Sequence, residues 1–404
     1  MKNMKNRAVQ KIALALCAVL TLFSVGCSGG GGTAGTSSVP DESTSAVPES
    51  SGTISSAPDS TTEPKEDTEL LRSAEKYLKS ITGRRGYTVS GSEPYYIGRW
   101  FDKTVGGKEY RVTLASGSSL HFAVNGTERV KVRFEITTLG STPYYAVSTD
   151  GVEFVRGAVN GCEITLPDTG WHTIDLYCDG MNHNEDKWNL ESGYAISSID
   201  CGNGKLVGIK PDGKLILFYG DSITEGIRAV IPSSIASDSN SAVNTYAYYC
   251  CEKLGANIYP VGYGGTGIIN EGFFATLDKT IDNFSSKRKA DNSFTPDAVI
   301  INHGTNDVNI DGAEFISGYR SAVEKIHGLF PGAPVFAMIP FNQEHSADIR
   351  EAVSGLDYVS VIETDGWGIT YNDNVHPNIA GAMNGGERLA GCLTGILGED
   401  WFTK

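Results

Sequence analysis

Long apolar runs are almost absent from this sequence. The one near the N-terminus, IALALCAVLTLF, is short for a stable membrane span, and no apolar run of about 20 residues follows it. Cations are scarce as well: 33 Lys and Arg stand against 48 Asp and Glu, a formal net charge of -15. Without the first 26 residues, which carry four basic groups and no acidic ones, the charge is about -19. Such a surface repels phosphate backbones, so nucleic acid is excluded as a partner. Neutral polymers remain compatible with it. Metal-site spacing is missing: the eight cysteines form no CxxC pair and no Cys/His set of the zinc or iron–sulfur kind. So is a dinucleotide fingerprint. No G-x-G-x-x-G stands at the first strand-to-helix turn of the C-terminal half, and GYGGTG at 262–267 differs in its final spacing. No metal or organic cofactor is expected.

What is present begins with a targeting pattern. Lys2, Lys5, Arg7 and Lys11 precede the apolar stretch, and SVGC ends it at Cys27. The pattern resembles a bacterial lipobox, which implies an export signal over 1–27 and lipidation of Cys27 as the mature N-terminus. The expected location is the extracellular face of a bacterial cell membrane, with the membrane a partner through the lipid. Residues 28–67 are low-complexity Gly, Ser, Thr, Pro and Glu sequence with little to bury, as expected of a disordered tether. Export permits disulfides among Cys162, Cys178, Cys201, Cys250, Cys251 and Cys392. A local bridge among the first three and free buried thiols are equally good readings.

Three patterns follow the tether. Residues 68–89 hold a short helix and a connector, with Leu70, Leu71, Ala74, Tyr77 and Leu78 on one helical face. From 90 to 209 the period shortens. RVTLA, LHFAVN, VKVRFEIT, YYAVS, CEITL and HTIDLYC alternate apolar and polar residues between Gly, Asn, Asp and Ser, which predicts an antiparallel β-sandwich of jelly-roll type. From 210 to 404 the runs LILFY, NIYPV, AVIIN, VFAMI and YVSVI are nearly continuous, and helical patterns separate several of them. Strands buried on both faces and alternating with helices predict an α/β/α domain with a parallel sheet, whose ligand site lies at the C-terminal strand edges.

Polar motifs stand at those edges. LILFY runs into GDSITEG, where a Ser at a strand end can expose its Oγ and nearby N–H groups can face a developing oxyanion. By itself Ser222 reads equally well as a helix cap. NIYPV leads to GYGGTG, whose glycines let the backbone approach a ligand and aim an N–H at it. AVIIN leads to His303-Gly304-Thr305-Asn306-Asp307. The Asn306 amide is a neutral donor suited to an oxyanion, Asp307 organises the loop through backbone N–H groups, and His303 reads as structural. YVSVI leads to Asp373-Asn374-Val375-His376-Pro377. Neutral His376 suits proton transfer near neutral pH, and Asp373, three residues earlier, can bond its Nδ1 and fix the tautomer.

The order Ser222, Gly265, Asn306, Asp373/His376, each after a separate strand, resembles the SGNH/GDSL hydrolases over residues 212–395. The resemblance implies Ser222 as nucleophile, His376 as base and Asp373 as its orienting acid. It implies oxyanion donors at the Ser222 N–H, a glycine N–H at Gly264 or Gly265 (the latter preferred), and the Asn306 side chain. A narrower resemblance, in YYIGRWFDK and the segment around LHFAVNG, is to carbohydrate esterase family 2, where a jelly roll precedes the SGNH domain. It implies acyl-enzyme removal of O-acetyl groups from xylan or glucomannan, so an acetylated polysaccharide is the expected partner. Some members of that family use Ser and His without the acid, but this sequence retains Asp373. It departs at Asn374 and Val375, where the family often has an aromatic. Trp367, Glu225 and Gly264 are candidates for substrate contact, with loop packing and helix capping as the plainer roles of the first two. Trp100 and Trp188 are weaker candidates of the same kind. Deacylation of peptidoglycan, of another envelope glycan or of a short-chain lipid keeps the chemistry and changes the substrate. An inactive glycan-binding lipoprotein is the reading from a different class.

Overall fold

A computed structural model describes residues 67–83, 85–135 and 140–403. The expected export signal with Cys27 and the tether up to residue 66 lie outside the described residues. The helix expected after the tether is Thr68–Ser80, capped by the Asp67 side chain accepting from the Leu70 N–H at 3.2 Å. Its partner is the β-sandwich. Leu78 packs against Ala123 and Ile209 beside Tyr87 and Trp171, and the Trp171 Nε1–H donates to Ser73 Oγ at 3.1 Å.

The sandwich consists of a seven-stranded and a five-stranded antiparallel sheet. Its alternating strands bury one side-chain set between the sheets: Leu120, Phe122 and Val124 face Val130, Val132, Ile164 and Ile196 across one core. Six of its strands have no counterpart among the apolar runs above: Tyr87–Gly91, Tyr95–Ile97, Trp100–Val105, Val155–Ala158, Tyr194–Asp200 and Lys205–Pro211. Tyr194–Asp200 shows why, since Ser197, Ser198 and Asp200 interrupt its apolar face.

Strand Lys205–Pro211 passes through three residues into Leu215–Gly220, the first strand of the parallel sheet in chain order. The sheet order is Asn257–Gly262, Leu215–Gly220, Ala298–Asn302, Val335–Met338, Val359–Ile362. Alternate residues point to opposite faces. Leu217, Tyr219, Val299 and Ile301 meet helices Gly312–Leu329 and Ser346–Val353. Ile216, Phe218, Ala298 and Ile300 meet Tyr246–Leu254 and Ile379–Leu397. This double coverage explains the nearly continuous apolar runs.

Sandwich and α/β part are not separated by a linker. Ile97, Phe101, Val112 and Leu114 share a cluster with Leu217, Tyr219 and Val261, and Ala146 and Tyr177 share another with Ile216 and Phe218. All six cysteines among the described residues are free thiols. Burial pushes the Cys162 thiol up to about 12.

Candidate active site

Parallel register lines up three of the motifs. Gly220, the last residue of its strand, pairs with Gly262 on one side and Asn302 on the other. Each chain leaves the sheet at the same level, so Ser222, the glycine turn and the Asn306 loop emerge side by side. The fourth motif arrives from the loop after Val359–Ile362.

Ser222 opens a one-turn helix, Ser222–Glu225, capped by Asp221 Oδ1 accepting from the Ile223 N–H at 2.9 Å. Ser222 Oγ lies 2.9 Å from His376 Nε2, and His376 Nδ1 lies 2.8 Å from Asp373 Oδ2. Both are ordinary hydrogen-bond lengths. The second oxygen of Asp373 accepts the N–H groups of Val375 and His376 at 2.7 and 2.6 Å. Burial acts to raise this carboxyl's pKa, but the N–H bonds and the imidazole outweigh it and hold Asp373 well below the usual carboxylate range. An ionised carboxylate bonded at both oxygens fixes Nδ1 as the protonated nitrogen and leaves Nε2 to accept the Ser222 proton.

Asn306 stands at the same edge. Its amide donates to Asp221 Oδ2 at 3.2 Å and to the Thr266 carbonyl at 3.0 Å, so both N–H groups have partners in this state. Asp221 is wholly buried; burial, opposed by the Ile223 N–H, pushes its carboxyl up to about 7. Asp307 does what its motif suggests: it accepts the N–H groups of Ile268, Ile269 and Asn270 at 2.9, 2.9 and 3.1 Å and so ties the glycine turn to the Asn306 loop. His303 is buried beneath this loop, Nδ1 3.3 Å from the Thr266 carbonyl, and burial pushes it down to about 4. It stays neutral and structural.

Three candidates for substrate contact are otherwise engaged. Glu225 is 1% exposed and forms a buried ion pair with Lys187. Its other oxygen accepts the Gly264 N–H at 2.7 Å. Glu225 therefore braces the turn, and the Gly264 N–H is already bonded. A Cβ on Gly264 would come within 2.2 Å of the His183 ring, so only glycine fits there. Gly265, with φ +76°, turns the backbone onward, and its N–H meets no acceptor among the described residues. Trp367 is 7% exposed, packed near Phe341 in the apolar cluster below the loop, and presents no open face for a sugar. Trp100 is equally buried, its Nε1–H on the Ile97 carbonyl, and Trp188 packs edge-to-face on Phe274 at 4.9 Å.

Lys187 and His183 come from the sandwich, in the loop 181–193 between strands His172–Gly180 and Tyr194–Asp200. Nothing local in the sequence marks them, because their partners lie dozens of residues away. Arg228, whose Nη1 donates to Asp373 Oδ2 at 2.9 Å, was missed for the same reason. A cavity of about 960 Å³ lies at the opposite sheet edge beside Gly213, Gly255 and Asp297. The site is assigned by converging polar groups, not by volume.

Residues 218–382 match the family described as GDSL-like Lipase/Acylhydrolase. Over 229 residues the chain is 25% identical to a cellulase/esterase, CelE, of Acetivibrio thermocellus; the match covers 50% of this chain and 28% of that protein. A family two carbohydrate esterase from Clostridium thermocellum, solved in complex with cellohexaose, superposes with a TM-score of 0.63 at 22% identity, over 76% of this chain and 100% of that one. An acetyl xylan esterase from the rumen bacterium Butyrivibrio proteoclasticus superposes with a TM-score of 0.58 at 17% identity, over 78% of this chain and 100% of that one. Residues 218–382 are thus similar to the GDSL-like lipase/acylhydrolase family, and the chain shares the two-part fold of the family two carbohydrate esterases.

Proposed function

We propose that this protein is a serine esterase that removes O-acetyl groups from a plant cell-wall polysaccharide, xylan or glucomannan, through an acyl-enzyme. The observation that carries the reading is the unbroken relay from Ser222 Oγ to His376 to Asp373, at 2.9 and 2.8 Å. His376 Nε2 takes the Ser222 proton as Oγ attacks the ester carbonyl. The oxyanion is met by the N–H groups of Ser222 and Gly265 and by the Asn306 amide, which exchanges its longer bond to Asp221 for the new charge. His376 then protonates the departing sugar hydroxyl. Water, deprotonated by the same imidazole, releases acetate and restores Ser222.

The substrate class rests on the fold shared with a carbohydrate esterase solved with cellohexaose and with an acetyl xylan esterase. The acidic surface suits a neutral glycan. In this reading Cys27 carries the lipid, and residues 28–67 give the enzyme reach from the cell surface. Acetate release from acetylated xylan, acetylated glucomannan and O-acetylated peptidoglycan tests the substrate. Release from a plant polymer supports the reading, and release from peptidoglycan alone transfers the enzyme to envelope remodelling. No release from any of them, with a short-chain aryl ester also inert, rejects esterase chemistry.

A further inference from the structure

The loop after the nucleophile presses a cation against the acid of the relay. Arg228 lies two residues beyond Gly226, with φ +58°. A side-chain-bearing residue keeps that left-handed conformation only where its surroundings hold it, and such positions cluster at functional sites. Here several bonds hold it. Asn240 Oδ1 accepts the Arg228 N–H at 2.8 Å. Asn372 Nδ2 donates to the carbonyls of Arg228 and Ala229 at 2.6 and 3.1 Å. Arg228 Nη1 donates to Asp373 Oδ2 at 2.9 Å, the same oxygen that accepts His376 Nδ1. Asn240 is itself buried and anchored, its Nδ2 donating to the carbonyls of Met181 and Ile235 at 2.7 and 3.1 Å. The latch thus runs from the sandwich loop, through Asn240 and Arg228, to the acid.

The charges around this point largely cancel without Arg228. Lys187 and Glu225 close on each other as an ion pair. His183 is held below its ordinary pKa by burial, which outweighs the pull of Glu225, and stays neutral. Asp221 lies behind the nucleophile, bonded to Ile223 and Asn306. That leaves Asp373, which favours a protonated imidazole, and Arg228, which opposes one.

We propose that Arg228 is a positioning residue of the relay: it clamps the Asp373 carboxylate, and its fixed charge resists protonation of the resting His376, which extends ester cleavage toward acidic pH. The inference rests on the esterase reading above. A base must be neutral to accept the Ser222 proton, so a cation sharing its counter-ion keeps the enzyme competent at lower pH. Arg228 touches Asp373 and not the reacting atoms, so it acts through the acid.

The test compares kcat/KM against pH for wild type, Arg228→Lys and Arg228→Gln with 4-nitrophenyl acetate. An NMR titration of the His376 ring accompanies it and needs no turnover. Gln keeps an N–H donor without charge and is expected to raise the acidic midpoint by about 0.5–1 pH unit, a loss of about three- to tenfold below it. Lys is expected to leave the midpoint in place. Should Gln fail to fold, Arg228→Gly relieves the left-handed backbone and carries the same titration. Superimposable profiles in the uncharged variants, or equal loss at every pH in Lys and Gln alike, would overturn the proposal. An inactive wild type would instead remove the esterase reading itself.

Discussion

Asp373 has no idle oxygen, and that fact governs what substitutions there do. An Asn at 373 replaces one acceptor with an NH₂ facing either the imidazole or two backbone N–H groups, so Asp373→Asn breaks one side of the network whichever way it turns. We expect kcat to fall by about 10³–10⁴-fold with the fold intact, measured on a soluble acetyl ester. Asn306→Ala removes a donor that meets the substrate oxygen only as charge develops. Its expected signature is a kcat lower by about 10²–10³-fold with KM little changed. That Ser222, Asn306, Asp373 and His376 meet at one sheet edge was legible in the sequence because each motif is local and follows a strand. The contacts of Glu225, Gly264 and Trp367 were not. Their roles depend on Lys187, the glycine turn and Phe341, partners that spacing along the chain does not reveal.

The loop 181–193 joins the sandwich to the site more tightly than its sequence suggests. Lys187 and Glu225 are 3% and 1% exposed, and removing one partner leaves the other charge buried and uncompensated. Lys187→Met is expected to lower stability by about 3–5 kcal/mol in urea unfolding, and Lys187→Met with Glu225→Gln to recover much of it. A loss below about 1 kcal/mol for the single variant would show a pair no stronger than an exposed one. Among elements, the central parallel strands were plain because both faces are apolar. Strand Tyr194–Asp200 was hidden because its outer half is Ser and Asp. Helix Ser346–Val353 was missed as well, its eight residues including Asp348, Arg350 and Glu351.

For the whole molecule, a buried neutral histidine couples stability to pH. His303 is pushed down to about 4 when folded, against about 6.5 when exposed. Between those values the unfolded chain binds a proton that the folded one does not, so this group's contribution falls as pH falls from about 6.5 to about 4. The slope reaches about 1.4 kcal/mol per pH unit at most. Buried Asp221, pushed up to about 7, works in the opposite sense over much of the same window, since the folded state holds its proton longer. His303→Asn is therefore expected to show stability that declines more steeply, or rises less, from acid to neutral pH than wild type. Parallel curves in urea unfolding would contradict it.

At this scale the two-part architecture was readable from the change in hydrophobic period near residue 210. The fusion of the two cores was not, because Phe101, Val112 and Tyr177 look like any sandwich residue until their contacts with the parallel sheet are known.

The most direct test of the central claim is 4-nitrophenyl acetate hydrolysis by wild type and Ser222→Ala, matched by circular dichroism. Measurable turnover in wild type, lost by about 10⁴-fold or more in the variant, is the expected result. Turnover in Ser222→Ala within tenfold of wild type would contradict the account.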